Sequence, residues 1–236
     1  MYFFTRLTAG REAVTVLSQS VPLREGKYMH VDDERAMWSM ASPGSDEDLE
    51  SRLAMASPSD AARGMFLNST VEAVRALGDE ELVRRCLEVG GEEKVVDFFV
   101  YPIATNLRMV FAAARMLEEK YGSLDAAMRQ LGRLAARSFL SSTAGLALQM
   151  LSRGDAKRLV GNLPSTYRAT VSFGVRSVVW TGPTSGRVTM RREFMPYPFH
   201  EGLLLGLLEK SQARNVQVRG HQLSTLESDY DISWVA

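Results

Sequence analysis

The spacing of apolar residues changes once along this chain, near Tyr167, and that change limits the folds open to it. Before it, apolar residues recur every three or four positions, the period of a helix with one buried side. The clearest run is 94–121, where Ile103, Leu107, Val110, Ala114, Leu117 and Tyr121 follow a four-three-four-three-four spacing. Met109, Phe111, Ala113 and Met116 widen that side, so the segment reads as a central helix packed over much of its circumference. Pro102 suits a first turn, where its missing N–H would be unpaired anyway, and Gly122 stops the helix. From Tyr167 onward, Ala169, Val171, Phe173, Val175, Ser177 and Val179 alternate with Arg168, Thr170, Ser172, Gly174, Arg176 and Val178. That is the period of a strand, with the first set facing the core.

Shorter helices are predicted over 46–55, 59–77, 79–89, 123–139, 141–151 and 155–163, with Ser45, Ser123 and the run Ser141-Ser142-Thr143 as caps and Pro164 as a stop. A turn at 182–186 returns the first strand through Val188, Met190 and Phe194. A helix over 198–211 and strands over 215–223 and 230–234 follow. The result is an α+β fold, a helical N-terminal two-thirds followed by a β-β-α-β-β antiparallel four-stranded sheet that the 198–211 helix covers. Residues 1–44 show no sustained period and read as a separate arm; Met29, Met37 and Met40 are alternative starts within it. Residues 45–236 read as a single domain, helical over 45–164 and sheet over 165–236.

Charge excludes one class of function. Lys+Arg and Asp+Glu each number 28, so there is no general basic field for nucleic acid. No 18-residue apolar run supports a membrane span, and no signal-peptide layout is present, so the reading is cytoplasmic. The single cysteine, Cys86, sits in a helical pattern and reads as packing. The three histidines, His30, His200 and His221, lack metal-site spacing, and no metal or cofactor is expected. His221 falls on the polar side of its strand. Gly202 and Gly206, four apart in a helix, suggest close approach of that helix to the sheet. The 181–186 turn lacks the lysine and following helix of a phosphate loop. Asp97 stands alone among apolar neighbours and should be paired, with an arginine or as a helix cap. Trp180 falls on the polar parity of its strand, which suggests that it lies under another element or at an interface.

The landmarks Arg52-Leu53-Ala54, Ser57-Pro58-Ser59-Asp60, Arg63-Gly64-Met65-Phe66, Asp97-Phe98-Phe99 with Tyr101-Pro102, Pro164-Ser165-Thr166-Tyr167, Trp180-Thr181-Gly182, His200-Glu201-Gly202 and Tyr230-Asp231-Ile232-Ser233-Trp234 resemble those of a paralogous family of uncharacterised myxobacterial proteins. The resemblance spans about residues 48 to 234 and implies no activity and no catalytic residues. The order of helices and strands is more loosely similar to sensory domains of the 4-vinyl-reductase-like and haem-nitric-oxide-binding kind. The haem-binding members imply an axial histidine in the helical region and a Tyr-x-Ser-x-Arg signature; this sequence has neither, so no haem is expected.

The reading is therefore a non-enzymatic regulatory or sensory domain, a homodimer that binds a small apolar ligand or a protein partner. Phe99, Tyr101, Tyr167, Trp180 and His200 are the candidate ligand-binding residues. Two alternatives stand beside it. One is a pure interaction module using an exposed sheet edge or the N-terminal arm. The other is an enzyme with Asp97, Tyr101, Tyr167 and His200 converging in one cleft.

Overall fold

A computed structural model describes residues 41–235. The arm read over 1–44 lies, apart from its last four residues, outside the described residues, as does His30. Helix α1 (Asp46–Met55) starts where Ser45 accepts a hydrogen bond from the Asp48 amide, with three acidic residues in its first turn to meet the positive helix end. A short strand β1 (Ala61–Arg63) leads into α2 (Gly64–Leu77), and α3 (Glu80–Gly90) follows, capped by Asp79. Strand β2 (Val100–Pro102) pairs antiparallel with β1 and opens onto the central helix α4 (Ile103–Tyr121). This two-stranded ribbon was not foreseen; three residues per strand are too few to show a period.

Ile103, Leu107, Val110, Ala114 and Leu117 are all buried in α4, which ends at Gly122 in the left-handed conformation. Helices α5 (Leu124–Leu140), α6 (Thr143–Ser152) and α7 (Ala156–Thr170) complete the helical part, each opened by a side-chain cap from Ser123, Ser142 and Asp155. One of these departs from the sequence reading. Helix α7 runs through Pro164 to Thr170, so Tyr167 is helical rather than the start of a strand.

Strand β3 (Val175–Gly182) begins only after a bend at Gly174, whose φ of +68° an L side chain rarely adopts. That bend inverts the expected parity. Arg176 faces inward and is buried, whereas Val175 and Val179 are 67% and 63% exposed. A one-residue slip in a period-two element moves every side chain to the other face. The new parity also accounts for Trp180, which lies on the inner face, half-buried, edge-on to Trp234 and under the Lys157 ammonium.

Strands β4 (Ser185–Arg191), β5 (Arg214–Ser224) and β6 (Glu227–Val235) complete a four-stranded antiparallel sheet of order β3-β4-β6-β5. Its outer face carries cross-strand polar pairs, among them Arg187–Asp231 at 2.8 Å, Thr189–Asp229 at 2.8 Å and His221–Asp231 at 3.2 Å. Its inner face presents Val188, Met190, Tyr230, Ile232 and Trp234 to the core.

Helix α8 (Tyr197–Leu208) is buried nearly all round because it lies between the sheet and α5. Its contact with α5 is the most extensive packing among the described elements. Gly202 and Gly132 make that contact possible. A Cβ on Gly202 would overlap the Arg129 carbonyl, and one on Gly132 would overlap the Phe199 carbonyl. The close approach expected between this helix and the sheet is therefore chiefly a helix–helix approach. Glu201 ties the layers together, accepting from the Arg129 guanidinium on α5 and from the Gly220 amide on β5. Cys86 packs in the core, where burial pushes its thiol up to about 11, so it is a poor nucleophile at neutral pH. No helix among the described residues is long and apolar enough to cross a membrane.

Candidate functional site

Helix α7 brings Tyr167 to face His200 of α8, and the Tyr167 hydroxyl stands 3.1 Å from His200 Nε2. Glu193, just after β4, lies 3.7 Å from the same nitrogen. Arg176, turned inward by the bend at Gly174, forms an ion pair with Glu193 and donates to the Phe173 carbonyl. Its guanidinium carbon is 4.4 Å from the centre of the Tyr167 ring. All four side chains are at least nine-tenths buried. A second buried pair sits nearby: Arg52 of α1 bonds Asp48 at 2.7 Å and the Phe194 carbonyl at 3.1 Å. The two pairs balance, so the buried cluster has no net charge while His200 is neutral.

This cluster borders a cavity of about 50 Å³ between α2, α5, α7, α8 and the start of the sheet. Phe66, Phe139, Leu163, Phe173, Phe199 and Leu203 supply most of its apolar wall. Phe66, Thr166 and Val171 are its half-buried members and mark where it meets the surface. The polar lining groups of α2 and α7 bond within the protein. Ser69 donates to the Met65 carbonyl at 2.7 Å, Thr70 to Asn106 at 3.2 Å, and Thr166 to the Asn162 carbonyl at 3.1 Å. His200 differs: its Nδ1 is fully buried without a partner, the one such side-chain atom on a lining residue among the described residues.

Of the five candidate residues, the structure brings Tyr167 and His200 together on this cavity. Phe99 is 63% exposed at the ribbon, and Trp180 packs on Trp234 at the sheet. Tyr101 is buried, but its hydroxyl accepts from the Val96 amide at 2.9 Å, away from the lining. Asp97 accepts from the Asn68 amide rather than from an arginine. Arg176 and Glu193 escaped the sequence reading because the inverted parity placed Arg176 outward. No group of three or more metal-ligating side chains is present among the described residues.

Electrostatics hold the cluster in one protonation state. Burial disfavours the Glu193 carboxylate, but Arg176, His200 and the Met195 amide outweigh it and hold its pKa below the ordinary value. Burial raises the Tyr167 pKa, so the phenol stays protonated. Burial lowers the His200 pKa; Glu193 opposes this, and Arg176 and Arg52 reinforce it. The unfolded imidazole gains its proton near pH 6.5, about the ordinary value, while the folded one resists. The unfolded state then binds more protons, so stability is full above about pH 6.5 and falls below it until the folded pKa is reached. Urea titrations from pH 7 to 5 should show this loss, with a slope of at most about 1.4 kcal/mol per pH unit for the one proton. His200→Gln should flatten it; an unchanged slope would assign the loss to other groups.

Solved structures of similar fold carry the same layers. An H-NOX protein from S. oneidensis in the Fe(II)NO ligation state superposes with a TM-score of 0.58 at 12% identity, covering 74% of this chain and 99% of that one. An Fe(II) unliganded H-NOX protein from K. algicida gives 0.57 at 12% identity, covering 74% and 97%. A mutant of the T. tengcongensis H-NOX gives 0.55 at 12% identity, covering 74% and 98%. At such identity the likeness shows a shared fold. No curated protein matches the sequence. Residues 55–235 match the family described as protein of unknown function (DUF2378), and the chain belongs to that family.

Proposed function

We propose that this chain is a non-enzymatic sensory or regulatory domain, working in the cytoplasm, that takes a small, largely apolar ligand in the cavity beside Tyr167 and His200. The observation that carries this reading is an apolar cavity ending on a charge-balanced cluster with one unpartnered buried nitrogen. Shared fold with H-NOX proteins supports a sensory role by analogy of architecture.

The analogy does not extend to haem. Sites for cofactors and drug-sized ligands occupy about 300–1,000 Å³, and this cavity measures about 50 Å³. His221 lies on the outer sheet face, and His200 Nε2 is engaged by Tyr167. Arg176, the cation that borders the cluster, is already committed to Glu193. The described residues do not fit a haem.

Native mass spectrometry of protein purified from its own cells tests the reading. The expected result is extra mass under gentle conditions, lost on denaturation and absent from Ala135→Val, which adds two methyl groups at the cavity wall. Extra mass that survives in Ala135→Val, or none in either protein, would overturn it. One observation favours a second reading, a protein-interaction module: Phe98, Phe99 and Val100 are consecutive and 69%, 63% and 64% exposed beside the β1–β2 ribbon. A protein that co-purifies with the chain and is lost on Phe98→Ser/Phe99→Ser would favour it.

A further inference from the structure

Among the described helices, α6 (Thr143–Ser152) is the one without a charged side chain. It lies in the longest uncharged stretch of the sequence, from Ser138 to Ser152. A helix that is apolar all round is ordinarily buried all round. Here burial is one-sided. Gly145, Leu148 and Ser152 face the core, whereas Leu146, Met150 and Leu151 are 50%, 77% and 65% exposed. At 3.6 residues per turn these three fall, with the exposed Thr143 and Ala147, within an outward arc of roughly 140°. The helix packs chiefly on α5 and α7, its neighbours in the chain, so it sits at the margin of the helical layer.

Cations gather at its C-terminal end. Arg153 closes α6 and Arg158 stands in the first turn of α7, both exposed. The Gln212 amide donates to the Gly154 carbonyl at 2.9 Å, which brings the 210–214 segment, with exposed Lys210 and Arg214, alongside the same turn. None of these four cations joins an ion pair among the described residues. The carboxylates beside them are engaged: Asp155 caps α7, and Glu209 is held by Arg133 and Arg137.

We propose that α6 and this turn dock on the surface of a lipid bilayer that contains anionic lipid. Ten residues are too few to span a bilayer, so the helix lies in the interface. Leu146, Met150 and Leu151 enter the boundary between headgroups and acyl chains, while Arg153, Arg158, Lys210 and Arg214 meet the phosphates. Three apolar side chains anchor weakly, so attachment is reversible and needs both parts. Two arguments favour lipid over protein. A second copy laid on α6 would bring the same four cations and no free carboxylate to meet them, so like charges would face each other. A partner protein that receives a helix offers it a groove. Here the protein itself presents a convex ridge, and fluid lipid conforms to a ridge without a matching shape. The surface is separate from the cavity, and its occupant is independent of the cavity's ligand.

The test is co-sedimentation of the full chain with two sets of vesicles, one of equal parts phosphatidylglycerol and phosphatidylcholine, the other of phosphatidylcholine alone. The expected result is saturable binding to the anionic set, at least about tenfold tighter than to the neutral set and weakened by salt. Met150→Ser/Leu151→Ser should weaken that binding at least about tenfold, and so should Arg158→Gln/Arg214→Gln. All four side chains are exposed, so urea midpoints should stay at the parent value. Phe98→Ser/Phe99→Ser, on the other exposed apolar patch, should leave vesicle binding unchanged. No binding by the folded parent chain, equal binding to both vesicle sets, or binding that survives Met150→Ser/Leu151→Ser would overturn the proposal. A dimer, or a co-purified acidic protein, that is lost on Met150→Ser/Leu151→Ser without any vesicle binding would overturn it too and assign the face to protein.

Discussion

Gly202→Ala is expected to lower the unfolding free energy by at least about 3 kcal/mol, because the new methyl group meets backbone rather than a yielding side chain. Its Cβ would overlap the Arg129 carbonyl of α5, and the neighbouring Gly132 faces the Phe199 carbonyl in the same way. Relief requires α5 and α8 to separate along their most extensive contact. That shift would pull Glu201 from Arg129 and disturb His200, two residues before Gly202. Gly161→Ala is the matched control. Gly161 is exposed within α7, and a Cβ there would meet only the Trp180 ring, at 4.0 Å. In that helix, alanine should stabilise by up to about 1 kcal/mol. Urea midpoints for both variants measure the difference. Equal effects would mean that the helices do not meet at backbone distance.

The second large effect belongs to Glu193→Ala, expected to cost about 3–5 kcal/mol by leaving the Arg176 guanidinium buried without its counter-ion. The Met195 amide also loses its acceptor. Arg176→Met added to Glu193→Ala should recover most of the loss, since a buried apolar pair needs no charge balance. The coupling from the double-mutant cycle is the quantity of interest. Additive losses would show that the pair contributes through separate contacts, and would remove the argument that the cavity borders a balanced cluster.

Periodicity made the helical part legible. The stripe from Ile103 to Leu117 and the caps at Ser45, Ser123 and Ser142 rest on interactions within one or two turns, which spacing encodes directly. The boundary between helix and sheet was not legible. Pro164 normally ends a helix because it removes an amide and crowds the carbonyl four residues back; here α7 continues for six more residues. The alternation from Ala169 to Val179 then looked continuous, although a helix end, a bend at Gly174 and a strand share it. One misplaced start reversed the reading of Arg176 and hid the ion pair that shapes the site. Of the cavity residues, Tyr167 and His200 were marked by type and Glu193 was not, since 33 residues separate Tyr167 from His200 and only the packing of α7 on α8 joins them.

The sheet order β3-β4-β6-β5 sets a timetable for the chain as it is made. Strand β6 is the last of the described elements to be synthesised, yet it occupies a central position. Its partners on β4 lie about 40 residues upstream, as in the Thr189–Asp229 pair. All eight described helices precede it and rest largely on contacts closer in sequence, so they can form while the sheet still has a gap. During that interval β4 and β5 each present an unpaired edge, and Tyr230, whose ring stands 6.2 Å from that of His200, is missing. The sheet behind His200 is therefore completed late, by the arrival of a single strand.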